Sequence, residues 1–285
     1  MKDFNSIGKT VGGNEGDKCN YPTRLDTYGC GCQHDCSYCY AKSLLDFRKL
    51  WDPLHPSVGN MATIAKEVRK LPRDKVIRLG GMTDCFQPCE RLHRVTYKTI
   101  KLLNRRRVPY LIVTKSALIA EPEYMAILDK DLAHIQITVT TLDDEFYIAK
   151  QYEKASLPSQ RIAAILALQD AGFDVQLRLS PYIPEFVDLD KLNALGVKKI
   201  LVEFLRVNAW IMKWFDIDYG PYTVNSNGYK QLPLKRKIEL LSKITGYEEI
   251  TVCEDEDTAY NYWKTHVNNN PNDCCNLRRN NEAKN

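Results

Sequence analysis

Two rhythms of apolar residues alternate along the chain. Short runs of apolar and β-branched residues have the character of strands: "TRLDTYG" (23–29), "KVIRLGG" (75–81), "YLIVTKS" (110–116), "HIQITVTTLDDE" (134–145), "FDVQLRLSPYIPE" (173–185) and "VKKILVEFL" (197–205). Between them, "AKSLLDFRKLW" (41–51), "NMATIAKEVRKL" (60–71), "RLHRVTYKTIKLLNRR" (91–106), "EPEYMAILDKDL" (121–132), "LPSQRIAAILALQDAG" (157–172) and "LDKLNALG" (189–196) carry the pattern of helices, with Gly172 placed as a stop. Strands of continuous apolar character that alternate with helices predict parallel pairing with both faces of the sheet covered. The unit repeats about six times.

From about Gly220 the rhythm breaks into "YGPYTVNSNGYKQLP". A short helix and strand follow, then the polar "VNNNPNDCCNLRRNNEAKN", expected to cover the core and to fray over its last residues. In parallel barrels the polar residues just past each strand gather on one face, where active sites are built. Here those ends read Gly80-Gly81-Met82-Thr83-Asp84, Thr114-Lys115-Ser116, Thr138 to Thr141 and Arg178-Leu179-Ser180-Pro181.

At 285 residues, 44% hydrophobic and 27% charged, the chain has the composition of a globular protein with one large α/β domain, alone or with a small appendage. No window approaches the roughly 18 to 20 apolar residues of a membrane span, and "MKDFNSIGKT" lacks the apolar stretch of a signal peptide, so a cytoplasmic location is expected. The net charge of +4 is mild. Its basic runs, "NRRR" (Asn104 to Arg107), "KRK" (Lys235 to Lys237) and Arg278-Arg279, read as solvated helix ends, with a phosphate footprint as the alternative. Ten cysteines in a long chain of this kind point to reduced thiols used for metal or redox chemistry rather than to a disulfide framework.

Four of them crowd into "YGCGCQHDCSYCY" (28–40). A structural zinc site wants four ligands, commonly two separated C-x2-C pairs, and this stretch has only Cys36 and Cys39 so spaced. Cys30, Cys32 and His34 lie too close together to converge well on one ion. A redox dithiol at Cys36 and Cys39 leaves Cys32 without a role. The better fit is Cys32-x3-Cys36-x2-Cys39 around a larger object, a cubic iron–sulfur cluster whose fourth iron keeps an open position.

The stretch "CQHDCSYCY" resembles the cluster loop of the radical S-adenosylmethionine superfamily. The resemblance implies a [4Fe-4S] cluster on Cys32, Cys36 and Cys39, with S-adenosylmethionine on the open iron. It further implies reductive cleavage to a 5′-deoxyadenosyl radical that takes hydrogen from substrate, and an external electron donor of flavodoxin or ferredoxin type. The implied fold is α/β, a partial (β/α)6 TIM-like barrel with a small C-terminal extension. "CYAKSL", "GGMTDCFQPCE", "VTKSALI", "TVTTLDDE" and "SLPSQRIAAILALQDAGFDVQLRLSPYIP" further resemble the subgroup related to spore photoproduct lyase, over roughly residues 24 to 207. The expected division is therefore an N-terminal extension (1–23), a core (24–207) and a C-terminal extension (208–285).

By that similarity Tyr38 and Tyr40 flank the adenine side, Gly80, Gly81 and Thr83 lie along the methionine and ribose, Lys115 and Ser116 meet the carboxylate, and Thr138 lies nearby. A nucleic acid substrate is also implied, with Trp210, Trp214, Tyr219 and Tyr222 as candidates for stacking on a base. The subgroup's hydrogen-atom donor is a cysteine in a C-T-S-D segment, where this chain reads Gly81-Met82-Thr83-Asp84. Cys85 is the substitute donor if its loop turns inward. Cys85, Cys89, Cys274 and Cys275 are candidates for a second cluster or zinc site, while Cys19, Cys30 and Cys253 have no assigned role. The rival from another class is a non-catalytic module that binds zinc or nucleic acid.

Overall fold

The computed structural model describes residues 4–9, 18–268, 270 and 273–277. Its strands are β1 (Ile7–Lys9), β2 (Thr23–Leu25), β3 (Tyr28–Gly29), β4 (Ser57–Val58), β5 (Ile77–Leu79), β6 (Tyr110–Thr114), β7 (Ala133–Val139), β8 (Asp174–Tyr182), β9 (Lys199–Phe204), β10 (Val224–Ser226), β11 (Tyr229–Gln231) and β12 (Glu249–Val252). Eight form one sheet in the order β1-β2-β5-β6-β7-β8-β9-β12, and β3-β4 and β10-β11 are two-stranded ribbons. Every pair from β2 to β12 is parallel, and β1 adds antiparallel to β2. The fold is the expected partial TIM-like barrel, and its sheet does not close. The segment after residue 207 supplies β12, a seventh parallel strand paired with β9.

Period-two alternation along these strands divides the interior in two. Tyr110, Ile112, Ile135, Ile137, Leu177 and Ile200 pack outward under the helices in the main core. Leu111 and Leu201, from the opposite face of β6 and β9, form a smaller cluster in the lumen with Tyr21, Cys275 and Leu277. Inward polar side chains bridge the strands: Gln136 donates to Gln176 (3.0 Å), Gln176 to Thr251 (3.3 Å) and Arg178 to Gln136 (2.8 Å).

The helices depart from the sequence reading where backbone and side-chain chemistry outweigh periodicity. The expected 91–106 helix is cut in two, Glu90–His93 and Val95–Arg106, because Arg94 adopts a left-handed conformation with φ 53°. The 121–132 segment shrinks to Pro122–Met125 after a 3-10 turn at Ala117–Ala120. "LDDE" opens an additional helix, Asp144–Lys150, whose Phe146 N–H is accepted by the Asp143 carboxylate at 2.9 Å. The Pro158–Asp170 helix stops before Gly172, whose φ of 80° suits only a residue without a side chain.

One basic run sits at a helix end as expected, while Lys235 to Lys237 corrects that reading, lying in the first turn of the helix Leu234–Leu241 with Lys237 in the interior. Arg107 pairs with Asp129 (2.6 Å) at the end of Val95–Arg106. Lys237 is buried, paired with Glu254 and donating to Gln231 at 3.0 Å. Arg278-Arg279 lies outside the described residues.

Candidate active site

The cysteine loop leaves β3 at Gly29 and ends at the helix Tyr40–Phe47, for which Cys39 is the N-cap. Cys30 at φ 55° and Asp35 at φ 42° fold it back on itself. The Asp35 N–H donates to the Cys32 carbonyl (3.0 Å) and the Cys39 N–H to the Cys36 carbonyl (3.2 Å). Neighbouring segments fix it from outside: the Gln33 N–H donates to the Gln87 side chain (2.8 Å), the Cys89 N–H to the Gln33 side chain (2.6 Å), and the Ser37 N–H to the Tyr152 carbonyl (2.9 Å).

Cys36 is buried, and Cys32 and Cys39 are half-buried. Burial pushes all three thiols up, reinforced by Asp84 at Cys32 and by Glu153 at Cys36. The cofactor-free chain therefore carries neutral thiols that must lose protons on loading. The three lie within electrostatic reach of one another. Among the described residues, however, no three Cys, His, Asp or Glu side chains surround one point as ligands of a single ion would. The donor chemistry, three cysteine thiols on one loop, is what a cubic cluster with one open iron takes, so the residues fit the cluster that the loop implies.

Behind Cys36 lies a fully buried carboxylate, Glu153. Its oxygens take the Cys36 thiol (3.5 Å), the Tyr38 hydroxyl, the Lys115 ammonium (3.1 Å) and the Arg161 guanidinium (2.5 Å). Burial alone would raise the Glu153 carboxyl, but Arg161 and then Lys115 hold it well below the usual carboxylate range. Lys115 also donates to the Tyr38 hydroxyl at 2.7 Å, with its ammonium 5.1 Å from the centre of that ring.

The rim is set by two aspartates. Asp26 accepts from the N–H groups of Gly81 (2.8 Å), Met82 (2.9 Å) and Thr83 (3.4 Å). Gly80 has φ 78°, and a Cβ on Gly81 would lie 2.1 Å from Arg24 Cδ, so both glycines are required by the turn itself. Asp84 accepts from Thr114 Oγ1 (2.8 Å) and the Lys115 N–H (2.7 Å) and pairs with His34 Nε2 (3.2 Å). One carboxylate thus ties the end of β6 to the cysteine loop.

A cavity of about 380 Å³ opens beside the loop, and its walls include Cys36, Tyr38, Cys39, Tyr40, Lys115 and Thr138. Tyr40 donates to the Gly81 carbonyl at 2.9 Å, and the Thr138 carbonyl accepts from Arg161 Nη1 at 3.0 Å. The Thr83 hydroxyl is committed to the Tyr28 carbonyl (2.6 Å). Ser116 caps the 3-10 turn through Leu118 N–H (3.3 Å) and lines a separate cavity with His34 and Phe86. Cys85 is fully buried in the main core, and its loop does not turn it into either cavity.

The grouping of the remaining cysteines corrects the sequence reading. Cys85 and Cys89 lie beside Glu90, whereas Cys274 and Cys275 lie with Cys19 and Cys253, because the C-terminal segment folds into the lumen and the Cys85 loop faces the helices. Of the aromatic candidates, Tyr222 is buried, while Trp210 is exposed beside Trp214 (5.9 Å between rings).

Glu153, Arg161, Asp26 and Asp84 did not emerge as site residues from sequence reasoning. Asp84 left a trace in the strand-end segment that it closes, and Arg161 another, a charge on the same helix face as Ala164, Ile165 and Leu168.

Fold and site together define an α/β enzyme scaffold with a cysteine loop at the rim of a partial parallel barrel. The sequence profile of the Radical SAM superfamily matches residues 27–190, more than half of the chain, and the protein belongs to that superfamily, whose enzymes use a [4Fe-4S] cluster and S-adenosylmethionine. Its curated relatives include an uncharacterized protein of Mycobacterium bovis, 24% identical over 201 residues (65% of this chain, 59% of that one). Another, from Methanocaldococcus jannaschii, is 25% identical over 165 residues (56% of this chain, 60% of that one). The chain thus spans about three fifths of the length of these relatives.

Among solved structures, spore photoproduct lyase complexed with dinucleoside spore photoproduct superposes with a TM-score of 0.59 at 14% identity, over 81% of this chain and 77% of that one. Methylornithine synthase superposes with a TM-score of 0.51 at 14% identity, over 83% and 66%. At these identities the likeness is one of fold. No helix among the described residues is long and apolar enough to cross a membrane.

Proposed function

We propose that the protein is a radical S-adenosylmethionine enzyme in which Cys32, Cys36 and Cys39 ligate the [4Fe-4S] cluster. When bound and reduced, that cluster supplies the electron that cleaves S-adenosylmethionine to methionine and a 5′-deoxyadenosyl radical, the species that removes hydrogen from substrate. The observation that carries this reading is the opening of Cys36 and Cys39 onto the same cavity wall as Tyr38, Tyr40, Lys115 and Thr138.

The chain's own residues then have separate tasks. Glu153 and Arg161 hold the Cys36 side of the loop rigid, with Lys115 balancing the carboxylate at the cavity edge. Tyr40, pinned to the Gly81 carbonyl, sets its ring beside the Gly80-Gly81 turn, where backbone can approach the cofactor closely. Ser116 and Thr83 act through the backbone they hold and do not offer their hydroxyls. Residues 24–207 form the catalytic core in this reading, flanked by extensions 1–23 and 208–285, and an external flavodoxin- or ferredoxin-type protein supplies electrons.

For substrate we propose a nucleic acid, on the likeness to spore photoproduct lyase. The reaction is a different one: Gly81 stands where the subgroup carries its cysteine donor, and Cys85 is shut in the core. The test is to incubate reduced, reconstituted protein with S-adenosylmethionine and deuterated DNA or RNA. 5′-Deoxyadenosine should form and carry deuterium. No deoxyadenosine would overturn the enzyme reading, and unlabelled deoxyadenosine with every nucleic acid would overturn the substrate.

A further inference from the structure

Four cysteines that the proposed radical chemistry leaves unused converge in the lumen from three distant parts of the chain. Cys19 precedes β2, Cys253 follows directly on β12, and Cys274 and Cys275 lie on the turn of the C-terminal segment. The Cys274 thiol is in hydrogen-bond contact with both Cys253 and Cys275, and Cys19 is within electrostatic reach of Cys253 and Cys275. None is in a disulfide. All four line the cavity that Cys36 and Cys39 also line.

The chain invests specific contacts in bringing them there. The Asp273 carboxylate accepts from the Leu277 N–H (3.2 Å) and its carbonyl from the Asn276 N–H (3.0 Å), while Asn276 turns at φ 49° and donates to Glu249 at 2.6 Å. That turn presents two adjacent thiols on one side. Tyr21, two residues after Cys19, hydrogen-bonds Asp273 and so joins the N-terminal segment to the same turn. The Cys253 N–H is fixed to the Val202 carbonyl at 2.9 Å.

Packing alone does not account for this group. A free cysteine often serves as a small hydrophobe, but such residues gain nothing from guanidinium groups at close range. Here Arg78 and Arg178 line the same cavity wall as the four thiols. Four thiols facing two arginines is the arrangement that offsets the negative charge of thiolates bound to metal. As with Cys32, Cys36 and Cys39, no three of these donors surround one point at single-ion distance.

We propose that Cys19, Cys253, Cys274 and Cys275 ligate a second iron–sulfur cluster, set in the wall of the substrate cavity. Four cysteine thiolates are the usual complement for such a cluster. The assignment is independent of the radical reaction. A wild type that releases no 5′-deoxyadenosine would defeat that reaction and leave the iron counts below untouched.

The test uses the full chain carrying Cys32→Ala, Cys36→Ala and Cys39→Ala, reconstituted anaerobically with ferrous iron and sulfide. It should keep about two to four irons and as many sulfides per chain, a range set by the two common cluster types. Adding Cys253→Ala and Cys275→Ala should remove both, with unchanged far-UV circular dichroism. In reduced wild type, electron paramagnetic resonance should show two signals, of which S-adenosylmethionine perturbs one, and this arm stands even if the combined variant misfolds. Three results would overturn the proposal: no iron on the triple variant, stoichiometric zinc in its place, or one wild-type signal that responds wholly to S-adenosylmethionine.

Discussion

Arg161 and Glu153 form an ion pair from which water is wholly excluded, and the second oxygen of that carboxylate faces the thiol of Cys36. Removing one partner strands a buried charge. Arg161→Ala is expected to cost about 3–5 kcal/mol, the range for breaking a buried pair, as measured by urea unfolding of the cofactor-free protein. Arg107→Ala, at the exposed pair with Asp129, should cost under about 1 kcal/mol. Equal losses at both sites would refute the special standing of the buried pair.

The cysteines divide into two groups with opposite expected behaviour. Cys36→Ala should abolish release of 5′-deoxyadenosine and sharply reduce bound iron. Cys85→Ala should retain both, since Cys85 lines neither cavity, and should lose only about 1 kcal/mol of stability as a core truncation. Chromatographic assay of deoxyadenosine under dithionite separates them, and loss of turnover in Cys85→Ala would return that residue to the active site.

Gly81→Ala places a methyl group against Arg24, and Gly80→Ala forces a side chain into the left-handed region. The backbone strain at Gly80 is worth roughly 1–2 kcal/mol. Because Asp26 organises the three N–H groups that follow, both changes should weaken S-adenosylmethionine binding more than they lower the melting temperature. Calorimetric titration against thermal unfolding distinguishes this from general destabilisation.

Acid stability depends on Asp174. Burial raises its carboxyl, but the hydrogen bond with His134 and the charge of Lys199 win, lowering it from 3.8 to about 2. The folded state therefore binds the proton less readily than the unfolded chain, so this stabilisation is present at neutral pH and lost as pH falls from about 4 towards 2. Asp174→Asn should be less stable than wild type by about 1–2 kcal/mol at pH 7, allowing for its partial exposure, with the gap closing below pH 3. Denaturant melts across that range test the sign, and a gap that widens in acid would reverse it.

How much was legible in the sequence depended on the range of the forces involved. The strands Tyr110–Thr114 and Asp174–Tyr182 and the helix Pro158–Asp170 announce themselves through local periodicity and a stop glycine. Arg94 gives no such signal, because its left-handed turn is imposed by Glu90, which accepts from Thr96 and Tyr97 N–H (2.9 Å each) and binds Tyr28 and Tyr124 from afar. The three-cysteine loop is readable because its spacing is local. Glu153 and Asp84 are not, since Glu153 meets Tyr38 from 115 residues away and Asp84 meets Thr114 from 30, contacts that only folding brings about. The four lumen cysteines are the extreme case, and adjacency in sequence misled, pairing Cys274 and Cys275 with Cys85 and Cys89.

The sheet has two free margins, β1 on one side and β12 on the other, with no pairing between them among the described residues. A closed ring admits only what can pass through its mouth. An incomplete one can be laced shut by side chains instead, as where Lys18, ahead of β2, reaches Asp257, past β12, and Tyr21 meets Asp273, a seam held by charge and hydroxyl rather than by the ladder.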